Sequence, residues 1–321
     1  MEYGRVPGIE QPVSRLVLGT MIVNSDDTER SFALLDAFAA AGGNTLDSAH
    51  IYGGGKSERG IGAWMEARGN RDKVLVISKC SHPNGDRKRV TPYDIASDLH
   101  DSLARLRTTY IDLYFLHRDD PQLPVGPIVE ALNEHKTAGK IRAFGGSNWT
   151  HERLAEANEY AYKKSLTPFT LSSPNFSLAD QVKSPWGPDC VTISGPRNDA
   201  ARKWYAEQKM PVFAWSSLAR GFFSGRLNRE NHKEAALDPS VVHAYCYEEN
   251  FKRLDRAAEL AKEKNATVPR IALAWVLAQP IEIYALIGAA NQQEIDENLK
   301  AQSLKLTPAE RDWLDLRSET R

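Results

Sequence analysis

The chain has 321 residues, a normal length for a single α/β barrel, and its 41% hydrophobic and 26% charged residues match the make-up of soluble globular proteins with a sizeable core. A formal net charge of -1 gives no bulk electrostatic case for nucleic acid or an anionic membrane as partner. The three cysteines, Cys80, Cys190 and Cys246, lie far apart with no CxxC pair and no disulfide framework, which suits a reducing cytoplasm. Met1-Glu2-Tyr3-Gly4-Arg5 leads into no apolar signal segment, and no run approaches about 18 uninterrupted apolar residues, so a cytoplasmic chain without a membrane span is expected.

Residues 1–13 precede the first repeating unit and are expected to form a small hairpin over a barrel floor. Strand-like apolar cores then begin near Leu16, Leu46, Val74, Ile111, Ile141, Phe169, Val212 and Tyr284. The first intervals are about 30 residues, the size of one strand-helix unit. Eight such units predict a (β/α)8 barrel with parallel strands. Helical spacing is clear at Ile95, Leu99, Leu103 and Leu106 behind Thr91-Pro92, and again at Leu154, Ala157 and Ala161. It recurs at Phe251, Leu254, Ala258 and Ala261, breaks near Asn265, and resumes at Ile271, Trp275 and Ala278. Two intervals, 177–198 and 217–248, are long and rich in Pro and Gly; loops of that kind are expected over the C-terminal mouth of a barrel, with extra helices toward the chain's end. No linker or low-complexity run interrupts residues 1–321, which read as one domain.

The stretch from Gly43 to Glu58 organises the chemistry. A short strand ends in Asp47, and Tyr52 follows in the glycine-rich loop Gly53-Gly54-Gly55 that opens a helix. The next strand runs into Lys79, and the one after it into His117. Gly145-Gly146-Ser147-Asn148 ends a fifth. Each residue alone has an ordinary explanation: a cap, a solvated lysine, a structural histidine. At matching strand ends of one barrel they form a proton-transfer site around a phenol. A free phenol, with a pKa of about 10, is a weak acid at neutral pH, and a nearby ammonium lowers it. Asp47 would hold Lys79, Lys79 would polarise Tyr52, and His117 would add a hydrogen bond at the reacting oxygen. The hydride such a site lacks must come from a cofactor.

Leu46-Asp47-Ser48-Ala49 with Tyr52-Gly53, Ser78-Lys79, Leu113 to His117, Gly146-Ser147-Asn148-Trp149, Arg15 to Met21 and Asp296-Glu297-Asn298-Leu299 resemble the aldo-keto reductase family over nearly the whole chain. The resemblance implies a barrel that uses NADP(H) or NAD(H), with Tyr52 as general acid/base assisted by Asp47, Lys79 and His117. It implies cofactor contacts from Thr20 and Met21, from Ser147 and Asn148 on the nicotinamide carboxamide, and from Trp215 stacked on the ring. Ser216, Ser217, Leu218, Ala219 and Gly221 then lie along the pyrophosphate, with Gly288, Glu294 and Asn298 toward the adenosine. Ser173 stands where the family often has a Gln that reaches the carboxamide. Glu294 stands where NADPH-preferring members commonly carry an Arg, and Ala289 and Ala290 replace phosphate donors, so NAD(H) is expected over NADP(H).

Two further functions compete with a carbonyl reductase or alcohol dehydrogenase: a metal-dependent barrel hydrolase or isomerase using Asp47, His50, His82 and His117, and a cofactor-binding sensory module with little turnover. Lys79 would compete with a metal, and no metal residue is assigned. Gly55-Lys56-Ser57 is not a P-loop, because the first glycine of that motif would fall at His50. His82, Asn84 and Asn148 would give a fairly polar mouth, suited to a sugar, polyol or small aldehyde, with Met21 and Trp149 also candidates for its wall; equally, His82 and Asn84 would only cap a loop.

Overall fold

The structure, a computed structural model, describes residues 1–232 and 238–321. Two short strands, β1 (Tyr3–Gly4) and β2 (Val13–Ser14), pair antiparallel and form the hairpin expected before the barrel. Gly8 between them lies against Arg142 and Ala143, at the start of a barrel strand and so at the floor.

The barrel strands are β3 (Leu16–Gly19), β4 (Thr45–Asp47), β5 (Leu75–Cys80), β6 (Ile111–Leu116), β7 (Ile141–Ser147), β8 (Leu171–Ser173), β9 (Val212–Ala214) and β10 (Ile283–Ile287). They close in chain order, with β10 returning beside β3. These are the eight expected strands of a (β/α)8 barrel. Every residue of β5 and β6 is buried, Ser78, Lys79 and Asp112 included, so neither strand reads as alternating.

The chain divides into two compact units, Met1–Ser173 with Gly288–Ile295, and Pro174–Ile287 with Asp296–Arg321. The first holds β1 to β8 and the helices α1 (Thr28–Ala40), α2 (Lys56–Arg68), α3 (Pro92–Leu106), α4 (Val125–Thr137) and α5 (His151–Lys163). Helix α3 begins where Thr91-Pro92 signals it: Thr91 and Asp94 form a reciprocal capping box, with Pro92 in the first turn. Ile95, Leu99 and Leu106 then face the core. The second unit holds β9, β10, α6 (Asp199–Gln208), α7 (Pro239–Tyr245), α8 (Glu248–Glu263), α9 (Val268–Leu277) and α11 (Pro308–Leu314), and α10 (Gln292–Ser303) starts in the first unit and ends in the second. Asn265 takes a left-handed φ of 48° between α8 and α9, where the sequence pattern breaks.

The long interval 217–248 carries more structure than its weak periodicity suggests. Asp238 caps α7 and Pro239 opens it, a start signal that needs no apolar repeat. Residues 233–237 of that interval lie outside the described residues. Among the described residues, no helix is long and apolar enough to cross a membrane.

Candidate active site

Three consecutive glycines shape the loop that carries the phenol. Gly53, Gly54 and Gly55 have φ of 58°, 63° and 88°, values that a side chain rarely tolerates. A Cβ on Gly55 would strike the Arg105 guanidinium at 2.8 Å. That guanidinium donates to the His50 carbonyl at 2.9 Å and pairs with the fully buried Glu58 at 3.3 Å. Glu58 in turn accepts from Ser78 Oγ at 2.6 Å. The loop is therefore tied on one side to α3 and on the other to β5, and Tyr52 between those ties has little freedom.

The four expected residues come together. Lys79 Nζ donates to Asp47 Oδ1 at 2.6 Å, to the Ser48 carbonyl at 2.8 Å and to Tyr52 Oη at 3.2 Å. Asp47 and Lys79 are each only 3% exposed. The Tyr52 and His117 rings meet edge-on, with centroids 5.9 Å apart. Thr20 Oγ1 donates to the Asp47 carbonyl at 2.8 Å, so the Thr20 hydroxyl braces the strand end.

The acidity of the phenol differs from the expectation. Burial pushes the Tyr52 pKa up; Lys79 pulls it down, and the Asp47 carboxylate pushes it up again, for a net rise. Lys79 is itself opposed by burial, yet Asp47 and Tyr52 raise its pKa above the usual lysine value. Burial also raises Asp47, against the pull of Lys79. The result is a phenol that stays protonated at neutral pH beside a fixed ammonium.

His117 is held neutral: burial first, then Lys79, Arg118 and His82, depress its pKa well below the ordinary value. Its Nδ1 is buried without a hydrogen-bond partner among the described residues. An unpaired buried N–H is costlier to keep than an unpaired acceptor, which assigns the single proton to Nε2. Its carbonyl accepts from Asn148 Nδ2 at 3.1 Å and from Arg118 Nη1 at 2.9 Å, so the backbone behind the ring is pinned twice.

Next to it, Asn148 takes a left-handed φ of 59°, and Ser147 Oγ donates to the Ser173 carbonyl at 3.0 Å. Ser173 Oγ is buried and has no partner among the described residues. Two hydroxyls and an amide, one hydroxyl unsatisfied, fit a small group with both donor and acceptor atoms, as a nicotinamide carboxamide has.

In the second unit, Trp215 follows β9, and its Nε1 is buried without a partner among the described residues. Ser216, Ala219, Arg220 and Gly221 all have left-handed φ, at 52°, 50°, 55° and 90°. Non-glycine residues in that region cost about 1–3 kcal/mol each, and the turns are closed by Ala219 N and Gly221 N, which donate to the Ser216 and Leu218 carbonyls at 2.8 and 3.1 Å. Ser217 Oγ donates to the Leu286 carbonyl at 2.6 Å, which spends that hydroxyl on the fold, while Leu218 is half-buried. Trp186, from the loop before α6, packs on Trp215 with centroids 5.3 Å apart, and the Arg220 guanidinium lies 4.5 Å over Trp186. Arg220 is held there by Asp238 at 2.7 Å.

Glu294 has a local role at the start of α10. Its Oε2 accepts from Ala290 N at 2.9 Å, while its own N–H donates to Asn291 Oδ1 at 3.0 Å. The carboxylate thus occupies the helix N-terminus. A side chain on Gly288 would meet open space, Asn298 is buried, and Met21 is 60% exposed.

The residues weighed as metal ligands do not share one point. Asp47 is taken by Lys79, and His50 turns to Asp101 at 3.2 Å and Asp98 at 3.8 Å. Among the described residues, no group of three or more His, Cys, Asp or Glu side chains is placed to hold a metal. Of the two roles open to Asn84, mouth or loop cap, the structure shows the cap. Its Oδ1 caps the loop by accepting from Asp86 N and Arg87 N at 3.0 and 2.9 Å. Sequence reasoning assigned no role to Glu58, Arg105 or Arg118. The usable signal was a carboxylate in the first turn of a helix that opens behind three glycines, and an Arg directly behind the strand-end His117.

The family model for the aldo/keto reductase family matches residues 15–315. The chain belongs to that family. It is 30% identical over 319 residues to a protein of Bacillus subtilis (strain 168) named Uncharacterized oxidoreductase YrpG, covering 95% of this chain and 92% of that one. It is 27% identical to an aryl-alcohol dehydrogenase [NADP(+)] of Phanerodontia chrysosporium, covering 96% of this chain and 83% of the other. Among solved structures it is similar to the thermostable aldo-keto reductase Tm1743, with a TM-score of 0.76 and 25% identity over 99% of this chain and 100% of that one. Membership makes the chain a nicotinamide-dependent oxidoreductase of carbonyl or alcohol substrates.

Proposed function

We propose that the chain works as one catalytic domain that interconverts a carbonyl and its alcohol, with Tyr52 as the proton donor and acceptor. The observation that carries this reading is the Lys79 ammonium placed between Asp47 Oδ1 and Tyr52 Oη, at 2.6 and 3.2 Å. NAD(P)H, when bound, supplies the hydride. Tyr52 gives its proton to the carbonyl oxygen as negative charge grows there, and Lys79 stabilises the phenolate left behind. His117 donates from Nε2 to the same oxygen and holds it in place. Asp47 keeps Lys79 charged and aimed.

Ser147, Asn148 and Ser173 hold the carboxamide in this reading, Trp215 backs the ring, and the backbone of residues 216–221 takes the phosphates. Thr20 and Met21 shape the cofactor side of the mouth, and Gly288, Glu294 and Asn298 the adenosine end. The Glu294 carboxylate at the start of α10 disfavours a 2′-phosphate, so NAD(H) is preferred. Among the described residues no disulfide joins Cys80, Cys190 or Cys246, which suits a reducing cytoplasm.

Substrates are small aldehydes, sugars or polyols, and the likeness to an aryl-alcohol dehydrogenase extends the panel to aryl carbonyls. The exposed Met21, Ile22 and Ile51 give such substrates an apolar rim. Steady-state assays of these classes with NADH and NADPH, in both directions, test the reading. Cofactor binding without turnover on any of them would overturn it in favour of a sensory module.

A further inference from the structure

Ser81 leaves β5 with a left-handed φ of 63°, and its N–H is tied to Asp98 Oδ2 at 2.9 Å. Asp98 is itself buried on α3 and held by Arg89 at 2.6 Å. A strained, anchored turn of this kind sets the direction of the next side chain. That side chain is His82, whose ring lies edge-on to His117 with centroids 4.9 Å apart. Its Nδ1 sits 2.8 Å from the Pro83 carbonyl. A carbonyl can only accept, so Nδ1 carries the proton and Nε2 a lone pair. His82 is half-buried, and Nε2 has no partner among the described residues. Burial, together with the Arg118 and Arg89 charges, lowers its pKa, which keeps the lone pair available at neutral pH.

Two neutral imidazoles of opposite polarity therefore stand side by side: His117 offers a donor, and His82 an acceptor. A carbonyl oxygen satisfies the first and has nothing for the second. A hydroxyl on the neighbouring carbon satisfies the second.

We propose that His82 is a specificity-determining residue that accepts a hydrogen bond from a hydroxyl adjacent to the reacting carbon, selecting α-hydroxy carbonyls and vicinal diols. This rests on the reading of Tyr52 and His117 given above and narrows its substrate class. The Asn84 Oδ1, by contrast, is spent on its own loop.

The test compares hydroxyacetone with acetone and lactaldehyde with propanal, pairs that differ by one hydroxyl. The quantity read is the ratio of kcat/KM within each pair, in the wild type, His82→Phe and His82→Gln. A site built to bond a hydroxyl discriminates strongly against its loss, so the ratio should fall by about tenfold or more in His82→Phe. It should recover in part in His82→Gln, whose amide oxygen can accept. His82→Leu gives the same readout should the Phe variant fail to fold. Ratios unchanged across the variants, with good turnover, would overturn the role of His82 and leave the carbonyl chemistry standing. No turnover of any of the four compounds by the wild type would overturn both.

Discussion

Lys79 Nζ lies 2.6 Å from Asp47 Oδ1, and both residues are 3% exposed. Removing one partner of such a pair leaves a buried charge and costs about 3–5 kcal/mol. Lys79→Met should therefore lose both activity and stability. Lys79→Met combined with Asp47→Leu should regain much of the stability, measured by urea unfolding, and none of the activity. A double variant no more stable than the single one would show that the pair is not the source of the loss.

The pH dependence of the same pair has a definite sign. Lys79 is raised in the folded chain, so its contribution to stability is complete below the ordinary lysine value of 10.5 and fades as pH rises through the folded value. Tyr52 is also raised above 10.0, first by burial. Reduction rates should stay flat through neutral pH and fall only on a limb above about 10. A limb near neutrality in kcat for the reduction would mean that another group gives the proton.

Replacing the phenol isolates its role. Tyr52→Phe keeps the ring and its edge contact with His117 and removes only the hydroxyl. Turnover should fall by about 10²–10⁴-fold while NAD(P)H still binds, followed by cofactor fluorescence. Near wild-type turnover would remove Tyr52 from the mechanism.

Trp215→Ala should weaken NADH and NADPH binding alike, because the nicotinamide ring is common to both. Titration of each cofactor measures it. Unchanged affinities would assign the indole to packing with Trp186 alone.

Cofactor choice can be probed at Glu294, where charge and cap are separable. Glu294→Gln can keep the bond to Ala290 N and removes the charge, whereas Glu294→Arg reverses the charge and loses the cap, at about 0.5–2 kcal/mol. Both should raise the NADPH to NADH ratio of kcat/KM, the Arg variant more. A wild type that strongly prefers NADPH would defeat the argument whatever the variants do.

The barrel was legible because its strands are buried on both faces and its helices carry their own start signals, as Thr91-Pro92 does. The tetrad was legible because chemistry in this fold sits at strand ends, a matter of position along the chain. Contacts between distant residues were not. Nothing local says that Arg105 reaches His50 and Glu58, or that a turn at Ser81 sends His82 to His117. At Asn84 local chemistry was informative: its side chain caps its own backbone, as one of its two readings had it. The acidity of Tyr52 was misjudged: the charge of Lys79 is visible in the sequence, but the water excluded around the phenol is not.

The Trp186–Trp215 pair has an optical consequence. Two indoles with centroids 5.3 Å apart and planes inclined at 42° couple their transition dipoles, and the inclined pair is chiral. Their near-ultraviolet dichroism and emission belong to the pair as a unit. Whatever enters beside Trp215 alters that shared signal, so the protein carries its own intrinsic chromophore for following occupancy without a label.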